Sequence, residues 1–412
     1  MDPVIRPENG LLLIALQSAE GVAATLDPTL HAVPAVEGSF TYGVPFRAEA
    51  SAEANGSLVG AAPMVIGQEV PISFRSRVRG AGAGVTYTSA IKPPLHAPLL
   101  ACGWRGQFTA AIAAAALTAG SATSATLGTG FAATAQLYRG LPLILSGAGA
   151  PGTGHVPFVT DYTTGKVATL SDSFSPVLSA ATLAAVPANW SYAGTTPIDA
   201  ASRLADHPCA TVGWYEDGNL ITWMDVRGVA DLQGDTARPG EAAFSMSGTY
   251  VGETTVTMPI NAVIAAHSAP ILVKGSAAPP AALINRVQLP ISRWALRNGG
   301  SLESVSDPNT PQGFGPGQIA GRIPMFEADP LKTLVSTRNA IAEIESAANY
   351  PIALRFGQTV GNRWGLLVTQ AQPVAGDPGM RGRLRSESRG WQCLSPGRDA
   401  QARDSDRFVV FY

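Results

Sequence analysis

Cysteine is nearly absent from this sequence: Cys102, Cys209 and Cys393 are odd in number and far apart in 412 residues. That argues against a disulfide framework or a zinc site, and the three read as buried thiols of a protein made in a reducing cytosol. Charge is scarce too, at 14% of residues against about 25% in an average soluble domain. With a net charge of -2, no global basic field is available to hold nucleic acid, so sequence-specific DNA binding is disfavoured. Long apolar runs are missing as well. Residues 11–16 and 110–117 fall far short of the roughly 20 residues that span a bilayer, and no membrane segment is expected. The start, MDPVIRPENG, carries Asp2 and only Arg6 before its apolar run, so a secretory leader is not expected. The Asn55-Gly56-Ser57 sequon then carries no information.

Glycine and proline are abundant instead, 44 and 32 residues, and they punctuate segments with the period of strands. Residues 214–258 show the clearest pattern. Asp217-Gly218 stands between apolar runs at 211–215 and 220–226 and supplies the two φ > 0 residues of a tight hairpin turn. Leu220, Thr222, Met224 and Val226 are then expected on one face, with Ile221, Trp223 and Asp225 on the other. Gly228 signals a bulge or a close backbone approach, Pro239-Gly240 the next turn, and 243–250 a further strand. Upstream, 40–48, 56–64 and 70–79 read as a meander whose last strand sets Ile72, Phe74 and Val78 against an arginine-rich face of Arg75, Arg77 and Arg79. Residues 8–21 suit either a short helix or an extended arm.

Residues 91–104, IKPPLHAPLLACGW, read as a helix entered through prolines and ended by Gly103, with Leu95, Leu99 and Cys102 on one side. Pro98 either kinks it or opens its regular part. Residues 121–194 shift in composition to Ala, Thr, Ser and Gly and read as an inserted β module, with strands near 141–146, 155–161 and 166–170. After a small-residue linker come strands at 285–295 and 319–326 around a Pro/Gly loop at 306–317. A helix at 331–348 follows, with Leu331, Leu334, Ile341, Ile344 and Ala348 near one face. Strands at 351–356, 364–370, 391–394 and 407–412 close the chain. The order strand, proline, helix, strand thus occurs twice, from Ile72 through Trp223 and from Ile319 through Gln370, which we read as structural duplication.

The residues Asp217, Gly218, Arg227, Gly228, Phe244, Gly248 and Tyr250 resemble a region of the major tail tube proteins of siphophages. The most specific match is the helix, at Pro94, His96, Ala97, Leu99, Leu100, Ala101, Cys102 and Gly103. The arm resembles theirs at Glu20 and Gly21, and the closing region at Gly361, Asn362, Ala371 and Gln372. The 121–194 segment resembles a small β module of phage structural proteins at Tyr138, Gly140, Leu143, Ser146, Gly147, Asp161, Tyr162 and Lys166 to Leu170. The resemblance implies a mainly β fold with two tail-tube-like β-sandwich domains, each with a flanking helix, plus the small inserted module. The implied layout is an arm at 1–39, a first domain from 40–120 and 195–267, the module at 121–194, a linker at 268–283 and a second domain at 284–412.

It further implies a non-enzymatic virion protein, assembled in the host cytoplasm and stacked as rings into the tail tube that conducts DNA. A homotrimer with pseudo-sixfold symmetry is favoured over a hexamer. The implied partners are the tape measure protein and the tail terminator, with DNA passing the lumen without specific binding. The module is expected to be an outward decoration, dispensable for assembly because a surface loop tolerates length changes at small cost.

No catalytic, cofactor-binding or metal-binding residue is assigned. RGAGAG at 79–84 imitates a phosphate loop, but Val85-Thr86-Tyr87 follows in place of a helix start. GAGAPGTG at 147–154 lacks the Lys-Ser/Thr of a P-loop, and both read as flexible loops. His31, His96, His155, His207 and His267 lack metal-ligand spacing. Ser247, in Ser-Met-Ser-Gly, is not a nucleophile elbow, and Glu216 and Asp217 belong to a turn. The two carboxylates of a glycosidase need only meet in space, so a carbohydrate-active enzyme stays open as a rival reading. A virion adhesin, or another tail or baseplate protein that binds a host surface, is another. Arg381, Arg383, Arg385 and Arg389 form the densest basic run, read first as a solvated loop, then as inter-subunit pairing with carboxylates, and third as DNA contact.

Overall fold

The computed structural model describes residues 4–6, 9–51, 53–54, 56–262, 267–275 and 280–412. The chain is mainly β, with 47% strand and 5% helix distributed over several sheets. The N-terminal part contributes β1 (Gly10–Leu16), α1 (Pro28–His31), β2 (Ala32–Val33), β3 (Thr41–Tyr42), β4 (Phe46–Ser51), β5 (Ala61–Gly67), β6 (Val70–Arg77), α2 (His96–Ala101) and β7 (Trp104–Thr109). A compact unit follows: β8 (Ile112–Ala116), β9 (Ala119–Gly120), β10 (Ser124–Thr126), β11 (Ile144–Ser146), β12 (Val159–Tyr162), β13 (Val167–Leu170) and β14 (Leu183–Val186). The first half closes with β15 (Asn189–Gly194), α3 (Arg203–Asp206), β16 (Ala210–Glu216), β17 (Asn219–Asp235) and β18 (Glu241–Thr255). The second half holds β19 (Ala282–Ile284), β20 (Val287–Gln288), β21 (Arg293–Arg297), β22 (Gly300–Ser306), β23 (Phe314–Arg322) and β24 (Met325–Ala328). After them come α4 (Ala340–Glu345), β25 (Tyr350–Phe356), β26 (Trp364–Arg381), β27 (Leu384–Leu394) and β28 (Arg407–Phe411).

Of the two conformations open to the arm, the extended one is present: β1 runs antiparallel along β16, Gly10 opposite Glu216 and Leu16 opposite Ala210. The meander expected at 40–79 is divided instead. β4 and β5 form a hairpin of their own, and β6 pairs with β3 on one side and β18 on the other. The helix expected at 91–104 shortens to α2. Pro98 lies in its first turn, where an N–H has no intrahelical partner, so it opens the regular part without a kink. Leu95, Leu99 and Cys102 are buried, and Gly103 at φ 73 ends the helix.

The faces expected along 220–226 need correction. Asp225, at φ 56, inserts an extra residue against both neighbouring strands. The buried set therefore changes parity, from Ile221 and Trp223 before the bulge to Val226, Ala230 and Leu232 after it. The N-terminal arm pins this bulge: the Asp225 carboxylate accepts from the Gly21 N–H at 2.8 Å, and Gln17 Oε1 accepts the Asp225 N–H at 2.8 Å.

In the second half the strand expected at 285–295 is a β19–β20 hairpin turning at Asn285-Arg286, both at positive φ, followed by β21. Ile323-Pro324 splits the expected 319–326 strand into β23 and β24, and β23 begins inside the expected loop. The helix expected at 331–348 contracts to α4, capped by Asn339, whose Oδ1 accepts from the Ala342 N–H at 3.2 Å. Its expected apolar face is open: Leu334, Ile341 and Ile344 are 76%, 71% and 38% exposed. Just ahead of the expected helix, the Asp329 carboxylate accepts the N–H groups of Ser292 and Arg293 and holds the chain to β21.

The two halves repeat one pattern. Ala210 and Val212 face Val226 and Trp223 across a one-residue slip, and Tyr350 and Ile352 face Ala371 and Val368 across the same slip. The order β3-β6-β18-β17 in the first half corresponds to β21-β24-β27-β26 in the second. These two four-stranded sets join edge to edge through β17 and β21, Leu232 opposite Leu296 and Asp235 opposite Arg293. One large core runs beneath both, with Trp104, Trp223, Trp364 and Trp391 fully buried.

β7 and β15 pair with each other from Trp104 opposite Gly194 to Thr109 opposite Asn189. The intervening unit therefore leaves and re-enters the main sheet at one place, and residues 189–194, expected in the module, lie in the main sheet. The unit has its own core around Leu127, Leu143, Val159, Tyr162 and Leu170. It is also seated firmly on the body. Val156 and Phe158 pack into a cluster with Leu283, Ala353, Leu367, Phe408 and Val410. Arg355 Nη2 donates to Asp172 Oδ1 at 2.6 Å, with both side chains inaccessible to solvent. The expectation that removing this unit costs no more than a loop is corrected by that seat: removal would uncover the apolar surface of Leu283, Ala353, Leu367, Phe408 and Val410 and take away the partner of Arg355.

Candidate functional site

A concavity of about 890 Å³ lies across the seam where the two four-stranded sets join. Strand alternation builds it. On β6, Val70, Ile72 and Phe74 point into the core, which turns Arg75 and Arg77 to the opposite, open face. β21 adds Arg293 and Arg297, and Glu241, Glu327 and Asp377 come from β18, β24 and β26. Six arginines and four carboxylates line the groove. The two signs are interleaved across strands: Arg75 lies 3.7 Å from Glu241, and Arg297 lies 3.5 Å from Asp231 and 3.9 Å from Glu327. Such exposed pairs add little stability, but each local partner reduces the pull of an arginine on a mobile phosphate. The arginine-rich face expected from 70–79 is thus a mixed-charge wall. Histidine and cysteine are absent from its described lining.

The motifs singled out in the sequence lie elsewhere. The loop at 79–84 spends its N–H groups on the protein: Gly80 donates to Asn362 Oδ1 and Gly84 to the Val360 carbonyl, both at 2.8 Å. The loop at 147–154 turns within the inserted unit, with Gly154 N–H on the Leu145 carbonyl at 3.0 Å. Asp217 and Gly218 form the expected turn, both at positive φ, and the Asp217 carboxylate accepts from the Arg6 N–H and Asn9 Nδ2. Ser247 Oγ donates to Glu69 Oε1 at 2.6 Å.

His96 Nδ1 meets the Tyr192 hydroxyl at 2.8 Å, and burial, helped by Lys92, lowers its pKa to about 3. Burial likewise raises the Cys102 thiol well above its ordinary value and pushes Cys209 and Cys393 up to about 12. These perturbed groups belong to the core and report packing. Among the described residues, no cluster of His, Cys, Asp and Glu could hold a metal ion. Of the basic run, Arg389 is buried, with Nε on Glu387 Oε2 at 2.8 Å and Nη2 on the Ala340 carbonyl at 2.9 Å. Arg381 reaches the Pro290 and Asp329 carbonyls from the β26–β27 hairpin.

Sequence reading missed Arg227 as a tie point. Fully buried, it donates to the His207 carbonyl at 2.8 Å, the Gly317 carbonyl at 3.1 Å and Glu20 Oε1 at 2.7 Å, joining the arm, the first half and the second. Nothing local distinguishes it from a surface arginine, since its three partners lie far away in sequence. Compared with known proteins, the chain matches no family model and no curated protein sequence.

Proposed function

We propose that this chain is a structural protein of the siphophage tail, in which rings of it stack into the tube that conducts DNA. The carrying observation is the joined sheet: two equivalent four-stranded sets meet within one chain, and the outer edges left over are of the two kinds that already meet at the inner seam. A sheet of that kind extends by adding copies, and three copies of a twofold repeat make a ring of six equivalent units. The concave face would then line the lumen, where interleaved arginines and carboxylates suit passage of a polyanion better than its retention. On this reading each chain is two tail-tube-like β-sandwiches with an inserted unit, and the tape measure protein and tail terminator are its partners.

Electron microscopy of the purified full-length protein tests the proposal. Rings with six-fold modulation in projection, stacking into tubes with an open bore, are the expected result. Dispersed monomers at every concentration would remove it and favour the adhesin or enzyme readings.

A further inference from the structure

We infer that the free edge of β26 near Pro378–Arg381 pairs antiparallel with β3 of a second copy, in the register of the β17–β21 seam inside the chain. This inference rests on the ring reading and names its contact. Gln392 faces Met325 as Ser247 faces Pro71, and Phe326 faces Leu296 as Ile72 faces Tyr42. Tyr42 therefore holds the place of Leu296, and Phe40 that of Trp294. Counting along β27 from the same anchor, Glu387 corresponds to Ala242, so its partner Pro378 holds the place of Leu232 and Met380 that of Gly234.

At the inner seam these places are dry, with Leu232, Leu296 and Trp294 at 1%, 1% and 2% exposure. At the outer edges Tyr42 and Met380 are 43% and 65% exposed. Among the described residues, apolar side chains at these seam positions thus lack the neighbour that their counterparts have. The backbone fits as well. Gly43 N–H donates to the Pro71 carbonyl, so residues 41 and 43 turn their polar groups to β6, and Phe40 and Tyr42 turn theirs outward.

Asp377 repeats the place of Asp231, whose carboxylate accepts the Asn298 N–H at 2.7 Å; the equivalent donor on the second copy is Val44. Pro378 removes one donor and leaves its carbonyl as acceptor, which also guards the edge against indiscriminate pairing. The register sets Pro378 opposite Tyr42, Gly379 opposite Thr41, Met380 opposite Phe40 and Arg381 opposite Ser39.

Gly379 and Thr41 form a non-hydrogen-bonded pair, whose side chains lie closest and suit a disulfide. The test is Thr41→Cys with Gly379→Cys in the full chain under mild oxidation, with Gln233→Cys and Ala295→Cys as the equivalent pair at the inner seam. The three native thiols are buried and free. Covalent dimers and closed trimers on denaturing gels are expected from the outer pair, and an internal link without oligomers from the inner pair. Thr41→Cys with Arg381→Cys, displaced along the edge, should give at least tenfold less product.

Amide exchange on the unaltered protein gives a second measurement: the N–H groups of Phe40, Tyr42 and Met380 should slow about tenfold or more on assembly. Rings that form without the cross-link and without this protection would overturn the seam and leave the tube reading standing. Protein that never assembles would overturn both.

Discussion

The helices α2 and α4 follow equivalent strands, β6 and β24, yet they are held in opposite ways. α2 has no side-chain cap and a proline in its first turn, but Leu95 and Leu99 are buried almost completely. α4 has an Asn cap and a buried group in which Glu343 accepts from Arg338 at 2.6 Å and from the Tyr350 hydroxyl at 2.9 Å, while Ile341 and Ile344 face outward. A short helix is marginal by itself. One copy is stabilised by apolar contact, and the other by local capping and a satisfied polar network. A repeated fold therefore preserves the place of an element without preserving the forces that hold it.

The sharpest way to break this contrast is to put the same charge on both helices. Leu99→Asp should cost several kcal/mol, because it places an unpaired carboxylate in the core, and we expect insoluble or unfolded protein. Ile341→Asp should stay within about 0.5 kcal/mol in the unassembled chain. Urea midpoints followed by circular dichroism check both, and comparable losses would show that the two helices are held alike.

A second comparison sets the seat of the inserted unit against an exposed hairpin. Asp172→Ala strands the buried Arg355 and should destabilise the protein by about 3–5 kcal/mol. Glu49→Ala, in a pair with Arg47 at 3.9 Å and more than half exposed, should change it by about 0–1 kcal/mol. Denaturant titration monitored by tryptophan fluorescence distinguishes them. A seat variant as stable as the hairpin variant would return the unit to the status of a loosely attached decoration.

A further contrast between the halves is expected in pH. All five histidines precede the second half, and burial lowers His96 to about 3 and His267 to about 4. A histidine depressed in the folded state binds its proton more readily unfolded, so the stability it contributes is present above about 6.5 and declines as pH falls toward the folded value. In the second half burial opposes the charge on Glu343, but hydrogen bonds from Arg338 and Asn285 outweigh it and hold the carboxyl below its ordinary value of 4.5. That contribution is lost only as pH falls below the ordinary carboxylate range. Exchange mass spectrometry between pH 7 and 4, corrected for intrinsic rates, should show protection falling around α2 before it falls around α4. Simultaneous loss would remove the distinction.

Much of the local structure was legible in the residues. The Asp217-Gly218 turn, the buried side of α2 and its end at Gly103 follow from glycine's freedom at positive φ and from apolar spacing within a few residues. The misread elements share one cause. Residues 331–339 carry helical spacing, but Asp329, Pro330 and Lys332 are engaged with Ser292, Glu387 and Arg385, and those contacts outweigh propensity. The groove was legible only in part: alternation on β6 announced an arginine-rich face, while its carboxylate partners come from strands more than 150 residues away.

The sequence by itself determined a turn-rich, weakly charged β chain, the positions of its tightest turns and the twofold order of its elements, because these depend on neighbours along the chain. Only the tertiary structure decided which strands meet at the inner seam, that Arg227 and Arg355 are buried with partners, and that the inserted unit is seated on the body. Those outcomes are set by burial and pairing between residues far apart in sequence, where each contact offsets desolvation only once all the others are in place.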